Sequence, residues 1–313
     1  MHAAHYKPYL ILGIGELLWD LLPQGPQLGG APANFSVMAA RLGNHAAILS
    51  RIGRDELGRE AMDALNPFPI DAGAVQVDPA HETGRVTVKL EAGQPSYTIH
   101  EPAAWDFLEL TDDWLQLAAR ADAICFGSLA QRGPVSRQTI QTLVAETPEE
   151  CVRVFDVNLR APFYSDEIVG ESLELASVMK MNDGEVPQVL DLLGLECREP
   201  DTLRAGALRL LAEFPALRLV AVTRGGSGSL LVTRDAIFDH PGVATKVADT
   251  IGAGDAFTAA MTHTLLRGAN LGAISEAGNR WGAWMASQSG AMPALTDGVR
   301  EEIGAAIEAA ERA

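Results

Sequence analysis

The feature that most constrains this chain is an alternation of short apolar runs with longer amphipathic stretches over most of its length. Runs of that kind predict strands separated by helices, and so an α/β architecture on a predominantly parallel sheet. The expected core strands are Tyr9–Ile14, Ala46–Arg51, Ala123–Phe126, Val152–Val157, Val178–Met181 and Leu219–Thr223. Several helices announce their ends: Pro32–Leu42 closes at Gly43, Asp55–Leu65 stops before Asn66-Pro67, and Pro134–Ala145 precedes Thr147-Pro148. From Gly252 to Ala313 the pattern is almost wholly helical. Length alone suits one large domain or two smaller ones. With no repeat or low-complexity linker to divide them, residues 1–313 read as a single domain.

Residues 84–100 break the rhythm. Arg85–Leu90 and Ser96–His100 alternate polar and apolar side chains around a Gly-containing connection, which predicts a β-hairpin. It is placed outside the main sheet as a lid, with part of 16–30 as a second contributor; an edge hairpin on the main sheet is the alternative.

Composition removes several partners. The formal charge of −17, from 24 Lys+Arg against 41 Asp+Glu, argues against nucleic acid and anionic membrane. Cys125, Cys151 and Cys197 form no CxxC pair and no even disulfide set, so buried free thiols are expected. Met1 to Pro8 lacks the layout of a signal peptide, and no stretch approaches the ~20 apolar residues of a membrane span. A soluble cytoplasmic protein is the simplest expectation.

The chemistry concentrates in Asp249-Thr250-Ile251-Gly252-Ala253-Gly254-Asp255-Ala256-Phe257, followed by a helical pattern. The Gly252-Ala253-Gly254 turn lets backbone N–H groups converge at a helix start, which makes an anion hole. Asp255, in the first turn, reads either as a helix-end carboxylate or as a base beside that hole. Upstream, Gly13-Ile14-Gly15 is not a dinucleotide fingerprint, because the third glycine position falls at Leu18. Gly15-Glu16-Leu17-Leu18-Trp19-Asp20 brings a carboxylate to the end of an apolar strand, where open sheets bind ligands. Gly29-Gly30-Ala31-Pro32-Ala33-Asn34 is a tight turn opening a helix. Lys7, Lys89, Lys180 and Lys246 each lack a preceding Gly, which excludes a Walker A loop, and the 7 histidines have no ligand spacing. Gly225-Gly226-Ser227-Gly228-Ser229 misses a nucleophile elbow, since Ser holds the final Gly position.

The nine-residue string resembles the C-terminal signature of the ribokinase-like, or PfkB, carbohydrate kinases. Gly-Gly-Ala-Pro-Ala-Asn, with Arg41-Leu42-Gly43 and Arg51–Gly58 behind it, is similar to that family's N-terminal region. The likeness runs from Gly15 to about Pro293 and is strongest toward bacterial fructokinases; Asn66–Asp71 departs from it. It implies a three-layer α/β/α domain with a small β lid, transferring the γ-phosphate of MgATP to a sugar hydroxyl. Asp255 would then be the general base, Gly252, Ala253 and Gly254 the anion hole, and Arg160, from Asp156-Val157-Asn158-Leu159-Arg160, a contact of the transferring phosphoryl. Asp20, Gly29, Gly30 and Asn34 would bind the sugar. Asn182, Thr223, Gly225, Gly228 and Asn279 would bind the nucleotide. Glu185 would hold magnesium through water, and Asp249, Ile251 and Gly290 a potassium ion.

Beside these implications stand plainer readings. Arg160 could simply pair with Asp156, Asn182 with Glu185 could be a helix-start box, and Thr223–Gly228 could be a hairpin turn. A carboxylate and a carboxamide suit a neutral polyol; Arg85 in the lid is the one candidate for meeting a substrate phosphate. D-fructose is the leading substrate expectation. Ketodeoxygluconate, ribose and nucleosides follow, then a non-catalytic sugar-binding scaffold. The hairpin edge makes a homodimer a further expectation.

Overall fold

In the computed structural model, residues 8–22, 25–91, 94–195 and 202–312 are described. Met1–Lys7 and Cys197, both weighed above, lie outside them, as does the Ala92-Gly93 hairpin tip.

The main sheet has eight strands: β1 (Leu10–Ile14), β4 (His45–Leu49), β9 (Ala123–Gly127), β10 (Val152–Asp156), β11 (Val178–Asn182), β12 (Leu219–Thr223), β13 (Ser229–Val232) and β14 (Ile237–His240). Their order is β14-β13-β12-β11-β10-β9-β1-β4, with β4 through β12 parallel and the last two strands antiparallel. A strand's side chains alternate, so each buried strand feeds two cores. Ile11, Cys125 and Val154 pack with α1 (Ala31–Arg41), α8 (Ala253–Leu265) and α9 (Leu271–Ala286) on one face, while α10 (Asp297–Arg312) packs against α9. Leu12, Ile124 and Phe155 meet the other face's core. That face carries α4 (Pro134–Ala145), α5 (Asp166–Leu175), α6 (Glu185–Leu192) and α7 (Thr202–Glu213), with α3 (Asp112–Ala118) against α4. The α/β architecture expected from the alternation, and the three layers implied by the resemblance, are therefore present. No helix among the described residues is long and apolar enough to cross a membrane.

A second sheet stands apart in the order β3-β2-β7-β8, from β2 (Leu18–Leu22), β3 (Gly25–Gly29), β7 (Gly84–Glu91) and β8 (Gln94–Ile99). The predicted hairpin is β7–β8, and it pairs through β7 with β2 rather than with the main sheet. The expected strand Ala46–Arg51 divides instead. The chain leaves the main sheet after Leu49, and β5 (Arg51–Gly53) pairs with β6 (Gln76–Asp78), ahead of α2 (Glu56–Leu65). Arg51 supplies the reason, since its buried guanidinium pairs with Asp78 at 3.1 Å and a wholly apolar strand position could not hold it.

Cys125 and Cys151 are free and buried, as expected.

Candidate functional site

The parallel strands end on one side of the sheet. β1 lies between β4 and β9, where the chain reverses its direction of travel across the sheet, the place at which open α/β sheets form a crevice. Into this crevice come the loops after β1, β9, β10 and β11 and the start of α8.

Gly252, in the left-handed region at φ 74°, caps α8, and no side chain bonds the helix's free N–H groups. The anion hole read from Gly252-Ala253-Gly254 is therefore an uncapped helix start. Asp255 follows in the first turn without capping it. Its Oδ2 instead accepts a 2.7 Å bond from Nδ2 of Asn34, a residue distant in sequence on α1. This contact joins the candidate base to a candidate sugar-binding amide. Burial pushes the Asp255 carboxyl up to about 6, and nearby Asp156 adds to the rise. The Asn34 bond, Lys180 and Arg160 act in the opposite direction.

Gly30 caps α1 at φ 107°, and a Cβ there would collide with the carbonyl of Glu16. Only glycine allows the turn to lie this close to the loop after β1. Glu16 completes that junction, its Oε1 accepting from Ala31 N at 3.2 Å.

The structure moves Asp20 from where the sequence suggested. It does not end β1 but lies within β2, opposite Gln27 of β3 and Val86 of β7, so this carboxylate belongs to the second sheet. The intervening Gly15–Leu17 turn has no periodicity that could reveal the change of sheet. Gly29 approaches the Asp20 side chain closely. Burial raises the Asp20 carboxyl to about 6 against the pull of Arg160.

Arg160 is exposed, with Nη1 donating to Leu159 O. It does not pair with Asp156, whose partner is Lys180 at 3.1 Å. Asn158 at φ 39° turns the chain so that Leu159 N donates to Glu185 Oε1 at 2.9 Å. Asn182 and Glu185 form a reciprocal box: Asn182 N donates to Glu185 Oε2 at 2.8 Å, and Glu185 N to Asn182 Oδ1 at 3.0 Å. Both oxygens of this buried carboxylate thus rest on backbone amides.

Thr223 ends β12, and Gly225 and Gly228 lie in its connection to antiparallel β13, the hairpin geometry that was the plainer alternative. Asn279 on α9 donates to Ser229 Oγ at 2.7 Å and to Ser275 O at 2.8 Å, so its amide fastens α9 to β13. Asp249, Ile251 and Gly290 do come together: Asp249 Oδ1 accepts from Ile251 N at 3.0 Å and Oδ2 from Gly290 N at 3.3 Å. Arg85 is paired with Glu82 at 2.8 Å.

Glu16 and Lys180 were not singled out as site residues. A signal for Lys180 existed, because a charge inside the apolar run Val178–Met181 must find a buried partner.

With this geometry in place, the comparisons with known proteins are specific. The sequence pattern of the pfkB family carbohydrate kinases matches residues 25–297. The fructokinase of Escherichia coli is 29% identical over 309 residues, covering 90% of this chain and 94% of that protein. Among solved structures, fructokinase from Vibrio cholerae O395 with fructose, ADP and calcium ion aligns with a TM-score of 0.78 at 29% identity, over 96% of this chain and 99% of that one. A sugar kinase from Pyrococcus horikoshii in complex with ATP aligns with a TM-score of 0.80 at 26% identity, over 95% and 99%.

Proposed function

The chain belongs to the pfkB family of carbohydrate kinases, and from that premise we propose that it transfers the γ-phosphate of MgATP to a hydroxyl of a neutral sugar, with D-fructose the leading substrate. The observation that carries this reading is the 2.7 Å bond between Asn34 and Asp255, which sets a base, a sugar-binding amide and an uncapped helix start in one place. The fructokinases at 29% identity support the choice of sugar.

Asp255 takes the proton of the acceptor hydroxyl as that oxygen attacks, while its Asn34 bond fixes the carboxylate's direction. The amides at the start of α8, with Arg160, stabilise the negative charge that spreads over the transferring phosphoryl group. The uncapped helix start fits a phosphate because its N–H groups have no other side-chain partner. Asp20, Gly29, Gly30 and Asn34 orient the sugar. Asn182, Thr223, Gly225 and Gly228 would carry the nucleotide, with Asn279 shaping the wall behind it. Magnesium, when bound, supplies charge neutralisation between the phosphates. Glu185, already occupied by two amides, would reach it through water. A potassium ion, if bound, would take hard oxygen donors from the Asp249 carboxylate and the Ile251 and Gly290 carbonyls. The β2–β3–β7–β8 sheet closes over the acceptor and excludes water.

A panel of fructose, ribose, adenosine and ketodeoxygluconate with MgATP tests the reading. Wild-type protein is expected to consume ATP fastest with fructose. Asp255→Asn is expected to bind the same sugar and lose about 10²–10⁴-fold in kcat. Sugar binding without ATP consumption would favour a scaffold, and wild-type-like turnover by Asp255→Asn would end the mechanism.

A further inference from the structure

Lys180 sits in the middle of β11, between Met179 and Met181, which turn toward the opposite core. Its Cα partner across the parallel ladder is Asp156 of β10, and the two side chains meet on the face that carries α8. Both are buried, at 8% and 5% exposure. Lys180 Nζ lies 3.1 Å from Asp156 Oδ1. The other carboxylate oxygen, Oδ2, accepts a 2.8 Å bond from Thr258 Oγ1, and that hydroxyl also lies 2.9 Å from the Gly254 carbonyl. The ammonium presses on the same glycine from below, since a Cβ at Gly254 would stand 3.0 Å from Nζ. The last glycine of the anion-hole turn thus leaves room for a lysine head group as well as for a phosphate.

A buried ion pair is a poor way to gain stability. Taking each ion out of water costs several kcal/mol, and an apolar pair of equal volume is often as stable or more so. An apolar pair could neither hold the Thr258 hydroxyl nor place balanced charges beside Asp255. We propose that Lys180 is a positioning residue for the transfer: seated between Asp156 and the anion-hole turn, it braces the first turn of α8 and offsets the charge of Asp156 on the side where Asp255 meets the acceptor hydroxyl. The proposal rests on reading Asp255 as the base.

The charged groups around Asp255 give the pair its sign. Asp156 at the end of β10 and Glu16 after β1 disfavour its ionisation. Lys180 from β11 and Arg160 from the loop after β10 favour it, and α1 contributes only the neutral Asn34. Cys125 on β9 is held neutral by burial. With Lys180 removed, Asp156 would face Asp255 unopposed; with Asp156 removed, the ammonium would.

The test compares acid limbs of kcat/KM against pH for wild type, Lys180→Met, Asp156→Asn and the double variant. Lys180→Met is expected to move the limb up by about one pH unit and Asp156→Asn to move it down by about as much. Loss of packing alone has no reason to produce opposite signs. Limbs that stay in place, or that shift in the same direction, overturn the proposal. If a single variant does not fold, the double, which leaves no unpaired charge, serves instead. It is expected to keep its limb near the wild-type position but lose at least about tenfold in plateau kcat, because the turn has lost its brace. Full kcat in the double overturns the proposal. The titration of Asp255, followed by 13C NMR of its carboxyl and assigned against Asp255→Asn, reports the same shifts without turnover. A wild type that phosphorylates no sugar therefore sinks the functional reading and leaves this one to be decided by the NMR.

Discussion

Glu16 is a carboxylate with one oxygen in use and one without a partner. At 4% exposure it gives Oε1 to Ala31 N, and Oε2 has no hydrogen bond. Burial pushes its carboxyl up to about 7, the backbone bonds pull it down, Asp255 raises it and Arg160 lowers it. The sign of its effect on stability follows. A carboxyl that holds its proton more tightly when folded favours folding while it is protonated, and that advantage is lost as pH rises from the unfolded value near 4.5 to about 7. Above that range the ionised group is a fixed cost on the order of 3 kcal/mol, taking 1.36 kcal/mol per pH unit. Glu16→Gln keeps an oxygen for Ala31 N and cannot ionise. Its melting temperature is therefore expected to exceed the wild-type value at pH 8 and to converge with it by about pH 4. Melting curves that keep a constant offset between those two pH values would show that Glu16 does not titrate in this window.

At the scale of elements, one carboxylate links the start of α2 to the residue that precedes β7. Asp55 caps α2 through Gly58 N at 2.8 Å and also accepts from Thr83 N at 2.8 Å and Thr83 Oγ1 at 2.6 Å, just before β7 begins at Gly84. Asp55→Ala removes the cap, worth about 1 kcal/mol, and leaves the buried Thr83 groups without a partner, at about 1–3 kcal/mol more. Urea unfolding should therefore show a loss of about 2–4 kcal/mol, and a loss under about 0.5 kcal/mol would mean that Asp55 is not the anchor. Asp55 itself was legible as a helix start because caps and stops are written in local sequence, and Pro134–Ala145 was read to the residue for the same reason. The β7–β8 hairpin was legible from its alternation. By contrast, β2 and β3 were legible only as an unbounded part of 16–30: Gly25-Pro26-Gln27-Leu28-Gly29 carries two glycines and a proline, which weaken any strand signal. Asp20 was consequently placed on the wrong element. The Asn34–Asp255 bond spans a separation that no local pattern encodes, and only the resemblance to a family brought those two residues together before the fold did.

For the whole molecule, the consequence is that the proposed site is divided between two sheets. Asp20 lies on β2 of the second sheet, whereas Asn34 and Asp255 lie on α1 and α8 of the main layer. A sugar held by all three would tie the sheets together, and a nucleotide on α8 alone would not. The second sheet has free edges at β3 and β8, where backbone N–H groups not paired to a neighbour exchange with solvent readily. Hydrogen–deuterium exchange can therefore separate the two ligands. Fructose with a non-hydrolysable ATP analogue is expected to slow exchange in peptides covering β3 and β8 by about tenfold, equivalent to about 1.4 kcal/mol of added protection. The analogue alone is expected to protect the start of α8 and leave β3 and β8 as they were. A lid closed by nucleotide without sugar would put the acceptor carboxylate's role in closure in error. If Asp20 contributes one wall of the acceptor site from the second sheet, as proposed, Asp20→Asn should weaken the sugar-dependent protection of β3 while leaving the nucleotide-dependent protection of α8 unchanged.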